Sequence, residues 1–333
     1  MGDSLFLLVL IIIAALGFGF SNGLNDAANA IATAIGSRVL SPRSAVIIAS
    51  FFNLAGTLSG ALLGAHVAKT IGEGIVTPDD LTLYTVVAGV VAAIIWVVAA
   101  TYRGIPLSVS HSLVAGLLGA GVAAAGTGAI VWGVLSKVLL AVILAPLLGF
   151  AGGFGLMVII MWLFRRSPPD TVNNIFSKVQ IIATAFVAYA HGKNDGQMPI
   201  GVIALGLMIY TGEKFDIPLW VIFVSAISVA LGIGFGGWRV IRTVGTRITT
   251  LRPVHGSAAE TSAAAVIEAA SNLGIPVSTT QCISGSVIGV GATKRLSAVR
   301  WGIARNIVIA WIITFPICAS LGWLLSKALG LIG

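Results

Sequence analysis

Two short phrases each occur twice in this sequence, in the same order and at nearly the same separation. Asn25-Asp26 returns as Asn194-Asp195, and Gly104-Ile105-Pro106-Leu107-Ser108 returns as Gly274-Ile275-Pro276-Val277-Ser278, offsets of 169 (195 minus 26) and 170 (276 minus 106) residues. Two unrelated phrases repeated at offsets that differ by one residue mean that one half of the chain duplicates the other. Both put a carboxylate or a Gly/Pro break into strongly apolar surroundings, as expected of two halves of one intramembrane binding site.

Of 333 residues, 57% are hydrophobic and only 9% charged, with a mean hydropathy of +1.04. That composition excludes an ordinary soluble domain, where about a quarter of residues carry charge. Apolar stretches able to cross a membrane lie near residues 5–35, 44–64, 82–101, 129–147, 148–164, 179–208, 218–236 and 299–332. Long continuous runs predict helices rather than the alternating segments of a membrane barrel. Met1 to Leu16 has neither a basic leader nor a small-residue cleavage site, so it reads as a retained span. Cys282 and Cys318 stand alone in apolar context, without the spacing of a disulfide framework or zinc site. The net charge of +8 comes from short inter-helix segments, the pattern of membrane orientation, so no nucleic-acid partner is inferred. The sole Gly-Lys pair, Gly192-Lys193, is followed by Asn194, which rules out an ATP-binding phosphate loop.

Charge asymmetry sets an orientation. Arg38 and Arg43 follow the first span, whereas His66, Lys69, Glu73, Asp79 and Asp80 occupy the next long loop, so the N-terminus is predicted outside. Arg103 then closes a third span inside and Arg165-Arg166 a fifth, taking residues 129–164 as two spans that turn near Pro146. An odd number of crossings inverts the second half, which leaves by Glu213 and Asp216, returns at Arg239, Arg242, Arg247 and Arg252, and ends outside. In this scheme Lys294, Arg295, Arg300 and Arg305 fall on the outer side, against the charge rule. The expected fold is an all-α polytopic membrane protein of two inverted-topology repeats, residues 1–164 and 179–333, joined by a cytoplasmic linker over 165–178. Each repeat has about five spans plus one re-entrant helical hairpin, at about 104–128 and 274–293. Both hairpins are rich in Gly, Ser and Thr and break at Pro106 and Pro276, leaving exposed backbone and helix N-termini nearby.

Hydroxyls crowd those breaks: Ser108, Ser110 and Ser112 around His111 in one, and Ser278, Thr279 and Thr280 before Gln281 in the other. Hydroxyls beside a helix N-terminus hold an oxyanion without needing a lysine. The plainer role is back-bonding to the preceding turn or gluing helices together; duplication behind Gly-Ile-Pro favours the anion site. Asp26 and Asp195 lie inside apolar stretches, where a charge costs about 2.5 kcal/mol or more. Asn22, Asn25, Asn29, Asn194 and Gln197 nearby offer the hard oxygen ligands that suit alkali cations. The alternative is a protonated or helix-capping aspartate. Glu260 is a third intramembrane acid without a twin, since its counterpart is Val90. Lys193 either neutralises Asp195 or snorkels to an interface. His111 faces Gln281 in the other repeat, so a symmetric histidine proton relay is not indicated, and His191 reads as a hydrogen-bonding residue rather than a ligand.

The phrase Gly23-Leu24-Asn25-Asp26-Ala27-Ala28-Asn29-Ala30, its echo Gly192-Lys193-Asn194-Asp195-Gly196 and the Pro-x-Ser-x-Ser/Thr hairpins resemble the inorganic phosphate transporter (PiT) family, across essentially the whole chain. The resemblance implies that Ser108, Ser110, His111, Ser112, Ser278, Thr279, Thr280 and Gln281 bind phosphate. It also implies that Asn22, Asn25, Asp26, Asn194, Asp195 and Glu260 bind coupling sodium ions, the only metal expected. No other cofactor and no enzymatic activity follow from it. The implied protein is a sodium/phosphate symporter of the cell (inner) membrane working by alternating access, with the bilayer as its surroundings and a homodimer compatible with it. Two positions depart from the family pattern: Asn53 stands where many relatives carry glutamate, and Val109 stands opposite Thr279. Moving a divalent anion inward costs about 2.3 kcal/mol per charge per 100 mV, so two cations cancel its charge and a third drives it. Proton-coupled phosphate or metal-phosphate transport and sulfate transport are the alternatives on this fold. A re-entrant-loop channel has no use for buried aspartates, and an intramembrane enzyme needs a paired nucleophile and base.

Overall fold

A computed structural model describes residues 2–73, 75–77 and 81–331. Asp79 and Asp80 of the first long loop lie outside the described residues, as does the side chain of Glu73. Among the described residues the chain is helical apart from its connections, with one isolated bridge between Val76 and Ile130. In the first half the helices are α1 (Gly2–Gly36), α2 (Pro42–Leu62), α3 (His66–Glu73), α4 (Leu83–Arg103), α5 (Val109–Ala125) and α6 (Trp132–Leu163). The second half runs α7 (Pro169–Asp195), α8 (Gln197–Thr211), α9 (Leu219–Phe235), α10 (Trp238–Arg242) with a π-helical turn over Thr243–Arg247, α11 (Pro253–Asn272), α12 (Thr279–Lys294) and α13 (Trp301–Leu329). Helix α7 thus opens within the stretch read as linker.

The halves correspond element by element, and their local chemistry is duplicated. Gly104 and Gly274 end α4 and the α11 turn with φ of 70° and 68°, the left-handed conformation that glycine adopts at no steric cost. Thr243 Oγ1 donates to Gly104 O at 2.9 Å, and Thr70 Oγ1 donates to Gly274 O at 2.7 Å. Ser108 and Ser278 then cap the half-helices α5 and α12, accepting from His111 N and Gln281 N at 3.2 Å each.

The repeats interlock instead of sitting side by side. Helix α5 packs on α13 and α12 on α6, while α1 packs on α9 and α7 on α2. Small residues allow this: a Cβ at Gly149 or Gly153 of α6 would collide with the backbone of Cys282 or Ser286, and one at Gly285 or Gly289 with that of Pro146 or Phe150. Two apolar cores result, one holding Ala27 to Ala32 of α1 and the other Leu7 to Phe18, so α1 threads both.

Three sequence expectations change. Residues 129–164 form one helix, α6, continuous through Pro146, not two spans. The stretch 104–128, read as a re-entrant hairpin, instead makes the fourth crossing, as the extended leg 104–108 together with α5, and α6 makes the fifth: the leg begins at Gly104 beside Arg239, and α5 ends at Ala123 and Ala124 beside Leu83, where α4 starts. In the second half the leg and α12 likewise connect opposite ends, so Lys294 Nζ reaches Thr250 O at 2.9 Å and Arg300 Nη1 reaches Thr246 O and Arg247 O at 3.2 Å. Lys294 and Arg300 therefore join the basic cluster around Arg247 rather than the opposite face, and the conflict with the charge rule disappears.

The two Asn-Asp helices also differ. Ala27 and Ala28 carry α1 straight through Asp26, whereas Pro199 interrupts the second copy. Its ring blocks the bond to the carbonyl four residues back, that of Asp195, and the chain breaks between α7 and α8 at Gly196. The freed Asp195 carbonyl accepts from Asn22 Nδ2 at 3.5 Å instead.

Candidate functional site

The carboxylates of the duplicated phrase meet. Asp26 lies ten residues, about 15 Å of helix, from the Gly36 end of α1, and both aspartates are 1% exposed. Thr279 Oγ1, at the tip of α12, lies 3.3 Å from Asp26 Oδ2 and 3.3 Å from Asp195 Oδ2, while Thr280 Oγ1 donates to Asp26 Oδ1 at 3.0 Å. Asn29 Nδ2 reaches both threonine hydroxyls, at 3.1 and 2.9 Å.

His191 closes the group. Its Nε2 sits 3.5 Å from Asp26 Oδ2 and 3.5 Å from Asp195 Oδ2, a bisecting position that gives a good hydrogen-bond geometry to neither. Asn53 Nδ2 lies 2.7 Å from His191 Nδ1. With the amide nitrogen as donor, Nδ1 is the acceptor and the ring proton sits on Nε2, aimed between the carboxylates. Asp26, His191 and Asp195 offer ligand atoms all within 4.8 Å of one another. Sequence reasoning gave His191 no ligand role; the signal available was its place one helical turn before Asp195.

The asparagines of each phrase divide their work. The Nδ2 of Asn25 donates to Thr101 Oγ1 at 2.7 Å and that of Asn194 donates to Ser271 Oγ at 3.0 Å, a duplicated tie holding α1 to α4 and α7 to α11. Their oxygens, with those of Asn22 and Asn29, Asp195 Oδ1 and Gln281 Oε1, are buried with no partner. Buried acceptors left unpaired are costly and point to a missing donor or cation. Gln197 does not join them, being used by Ala68 N and Lys193 O.

The half-helix tips adjoin. Ser110 Oγ donates to Val277 O of the opposite leg at 3.1 Å and lies 3.2 Å from Ser108 Oγ. The first N–H groups of α5 and α12, at Val109, Ser110, Thr279 and Thr280, have no acceptor within their own helices, so the dipoles and donors of two N-termini are directed at one region. Ser112 instead bonds back to Ser108 O at 2.9 Å, and His111 Nε2 is buried without a partner. Lys193 pairs with Glu268 and with Asn272 Oδ1, the latter at 2.8 Å, and so does not neutralise Asp195.

Glu260 belongs to a second polar cluster farther along α1. It accepts from Thr33 Oγ1 and from Thr184 Oγ1, the latter at 3.2 and 3.1 Å, while Ser37 Oγ donates to Gln180 Oε1 at 2.7 Å. Thr33 is about two turns beyond Asp26, toward the basic end. The repeat-related positions are Val90, Val202, Ala15, Gly206 and Ile11, all apolar, so this cluster exists at one end of the fold only.

Comparison with known proteins agrees with this geometry. Residues 22–170 and 165–322 each match the model of the phosphate transporter family. A probable low-affinity inorganic phosphate transporter of Rhizobium meliloti (strain 1021) is 46% identical over 315 residues, covering 94% of this chain and 93% of the relative. One of Bacillus subtilis (strain 168) is 42% identical, covering 96% of each. A solved structure described as the sodium-dependent phosphate transporter superposes with a TM-score of 0.91 at 28% identity, over 98% of this chain and all of that one. The double family match along the duplicated halves, on an all-helical multi-pass fold with no enzymatic role, establishes that this chain belongs to the phosphate transporter family.

Proposed function

We propose that the protein is a sodium-coupled inorganic phosphate symporter, importing phosphate by alternating access around the Asp26–Asp195 chamber. The observation that carries this is the convergence of both aspartates on Thr279, the residue that opens half-helix α12. One face of that hydroxyl belongs to a carboxylate pair that attracts cations, and the other to helix N-termini that attract an oxyanion. Neighbouring sites of opposite charge stabilise each other, which is the thermodynamic requirement for cotransport.

In this reading Asn22, Asn25, Asp26, Asn194 and Asp195 hold sodium through the unpaired oxygens, with Asn29 as a further ligand. Ser108, Ser110, Ser278, Thr279, Thr280 and Gln281 hold phosphate, assisted by the first N–H groups of α5 and α12. His111, with a free Nε2, completes that set; Ser112 supports it by fixing the first turn. Glu260 takes a third cation on the way to the basic, cytoplasmic end, and the apolar positions at its twin make the other approach dry. By the charge rule both termini then face outward from an inner membrane. Phosphate is preferred to sulfate because hydrogen phosphate donates a hydrogen bond to a carboxylate and sulfate cannot.

A second reading rests on His191. An imidazole between two carboxylates suits a proton or a divalent transition metal better than an alkali cation, which favours proton-coupled or metal-phosphate transport. Labelled-phosphate uptake into proteoliposomes separates the two. A sodium gradient alone should drive accumulation; accumulation driven only by a proton gradient, or requiring a divalent metal, would replace sodium as the coupling ion.

A further inference from the structure

The duplication extends to a pair of grooves on the outside of the bundle. One, of about 420 Å³, lies between α13 and the leg that starts at Gly104, and the other, of about 450 Å³, between α6 and the leg that starts at Gly274. Ile309, Ala310 and Ile313 in the first stand where Leu140, Ala141 and Leu144 stand in the second. Their polar chemistry has diverged. Arg103 lines the first groove where Leu273 lines the second, Asn306 stands where the second has Lys137, and the first groove adds Arg247 beside Thr243.

Neither Arg103 nor Arg247 has a side-chain partner among the described residues, and no acidic residue lines their groove. Two unpaired guanidiniums beside an apolar wall are complementary to one kind of molecule, an anionic amphiphile, since guanidinium forks match phosphate oxygens in pairs. The depth agrees. Tyr102, Trp238 and Trp301 are exposed at this end of the bundle, with Arg239 stacked 4.4 Å over the Tyr102 ring, and such aromatic belts mark the headgroup level. Ile309 and Ile313 lie two to three turns deeper along α13, where an acyl chain would run.

We infer that this groove binds an anionic phospholipid of the leaflet at the basic end, its headgroup phosphate between Arg103 and Arg247 and one acyl chain along Ile309 and Ile313. The headgroup then rests on Gly104-Ile105-Pro106, the segment that leads to Ser108, and beside Thr243, which holds the Gly104 carbonyl. The twin groove accepts an acyl chain but lacks the guanidinium pair.

Native mass spectrometry of the full-length protein with chain-matched phosphatidylglycerol and phosphatidylcholine tests this directly, with no transport assay. Phosphatidylglycerol should be retained in preference by about tenfold or more, the scale of two basic residues at a membrane surface. The double variant Arg103→Ala/Arg247→Ala should lose that preference. Arg103→Lys/Arg247→Lys should keep much of it, and Lys137→Ala in the twin groove should leave it unchanged. Equal retention of the two lipids by the native protein, or an unchanged preference in the double alanine variant, would overturn the assignment. Displacement of phosphatidylglycerol by millimolar inorganic phosphate would assign the groove to free phosphate and overturn it equally.

Discussion

Asp26 and Asp195, 169 residues apart in sequence, share one hydroxyl: Thr279 Oγ1 lies 3.3 Å from a carboxylate oxygen of each. Thr279→Val keeps the shape and removes that donor from both. The loss of a buried hydrogen bond to charged acceptors costs about 1.5–3 kcal/mol, so phosphate uptake should fall by about tenfold or more. Thr280→Val touches Asp26 alone and should do less. Uptake rates of the two variants at matched expression check the order.

Asn53 acts on the chamber through His191. Asn53→Leu removes the partner of Nδ1 and lets the ring exchange tautomers, turning a lone pair toward the carboxylates. In the native tautomer the Nε2–H is no cation ligand and holds positive charge away from the carboxylates, so the lone pair in the variant adds a ligand and the cation concentration for half-maximal uptake should fall. Nitrogen NMR of labelled histidine should show the Nε2–H tautomer in the native protein and a mixture in the variant, which a merely structural role would not produce.

Close helix contact predicts where side chains cannot be added. Gly289→Leu would push α12 off the Phe150 backbone, an overpacking typically worth ~1–3 kcal/mol or more, and should lower folded yield in fluorescence-detected size-exclusion chromatography. Gly155→Leu, on the same helix pair but with open space at its Cβ, should be tolerated.

The duplicated ties offer an internal control. Asn25→Ala should loosen α1 from α4, and Asn194→Ala should loosen α7 from α11, each costing about 1 kcal/mol of stability through a lost buried hydrogen bond. Asn194→Ala should cost more, because its Nδ2 also serves Ile275 O at 3.1 Å. Thermal unfolding of the two variants gives the comparison.

Much of this was legible because duplication writes a site twice. The repeated Asn-Asp and Gly-Ile-Pro phrases located both carboxylates and both half-helix tips, and the odd count of crossings between basic loops supplied the inversion. The missing parts are pairwise facts that no single position carries. Neither His191 nor Asn53 is repeated, and only the packing of α2 on α7 brings them together. The continuity of α1 against the break at Gly196 depends on Pro199 acting on a carbonyl one turn earlier, beyond the repeated phrase. Pro146 suggested a turn between spans, but α6 continues through it, packed along α12 by Gly149 and Gly153. Lys294 and Arg300 fell on the wrong face because residues 274–293 read as re-entrant, whereas the leg and α12 cross.

In the proposed symport, cations at the aspartate pair and phosphate at the half-helix tips occupy one chamber and strengthen each other. Equilibrium binding of labelled phosphate to purified protein, titrated with sodium, measures this coupling without transport. Sodium should raise phosphate affinity about five- to 150-fold, the usual range of coupling between sites, and Asp26→Asn or Asp195→Asn should abolish the effect. Phosphate affinity that is indifferent to sodium, or a sodium effect that survives in both variants, would contradict the account.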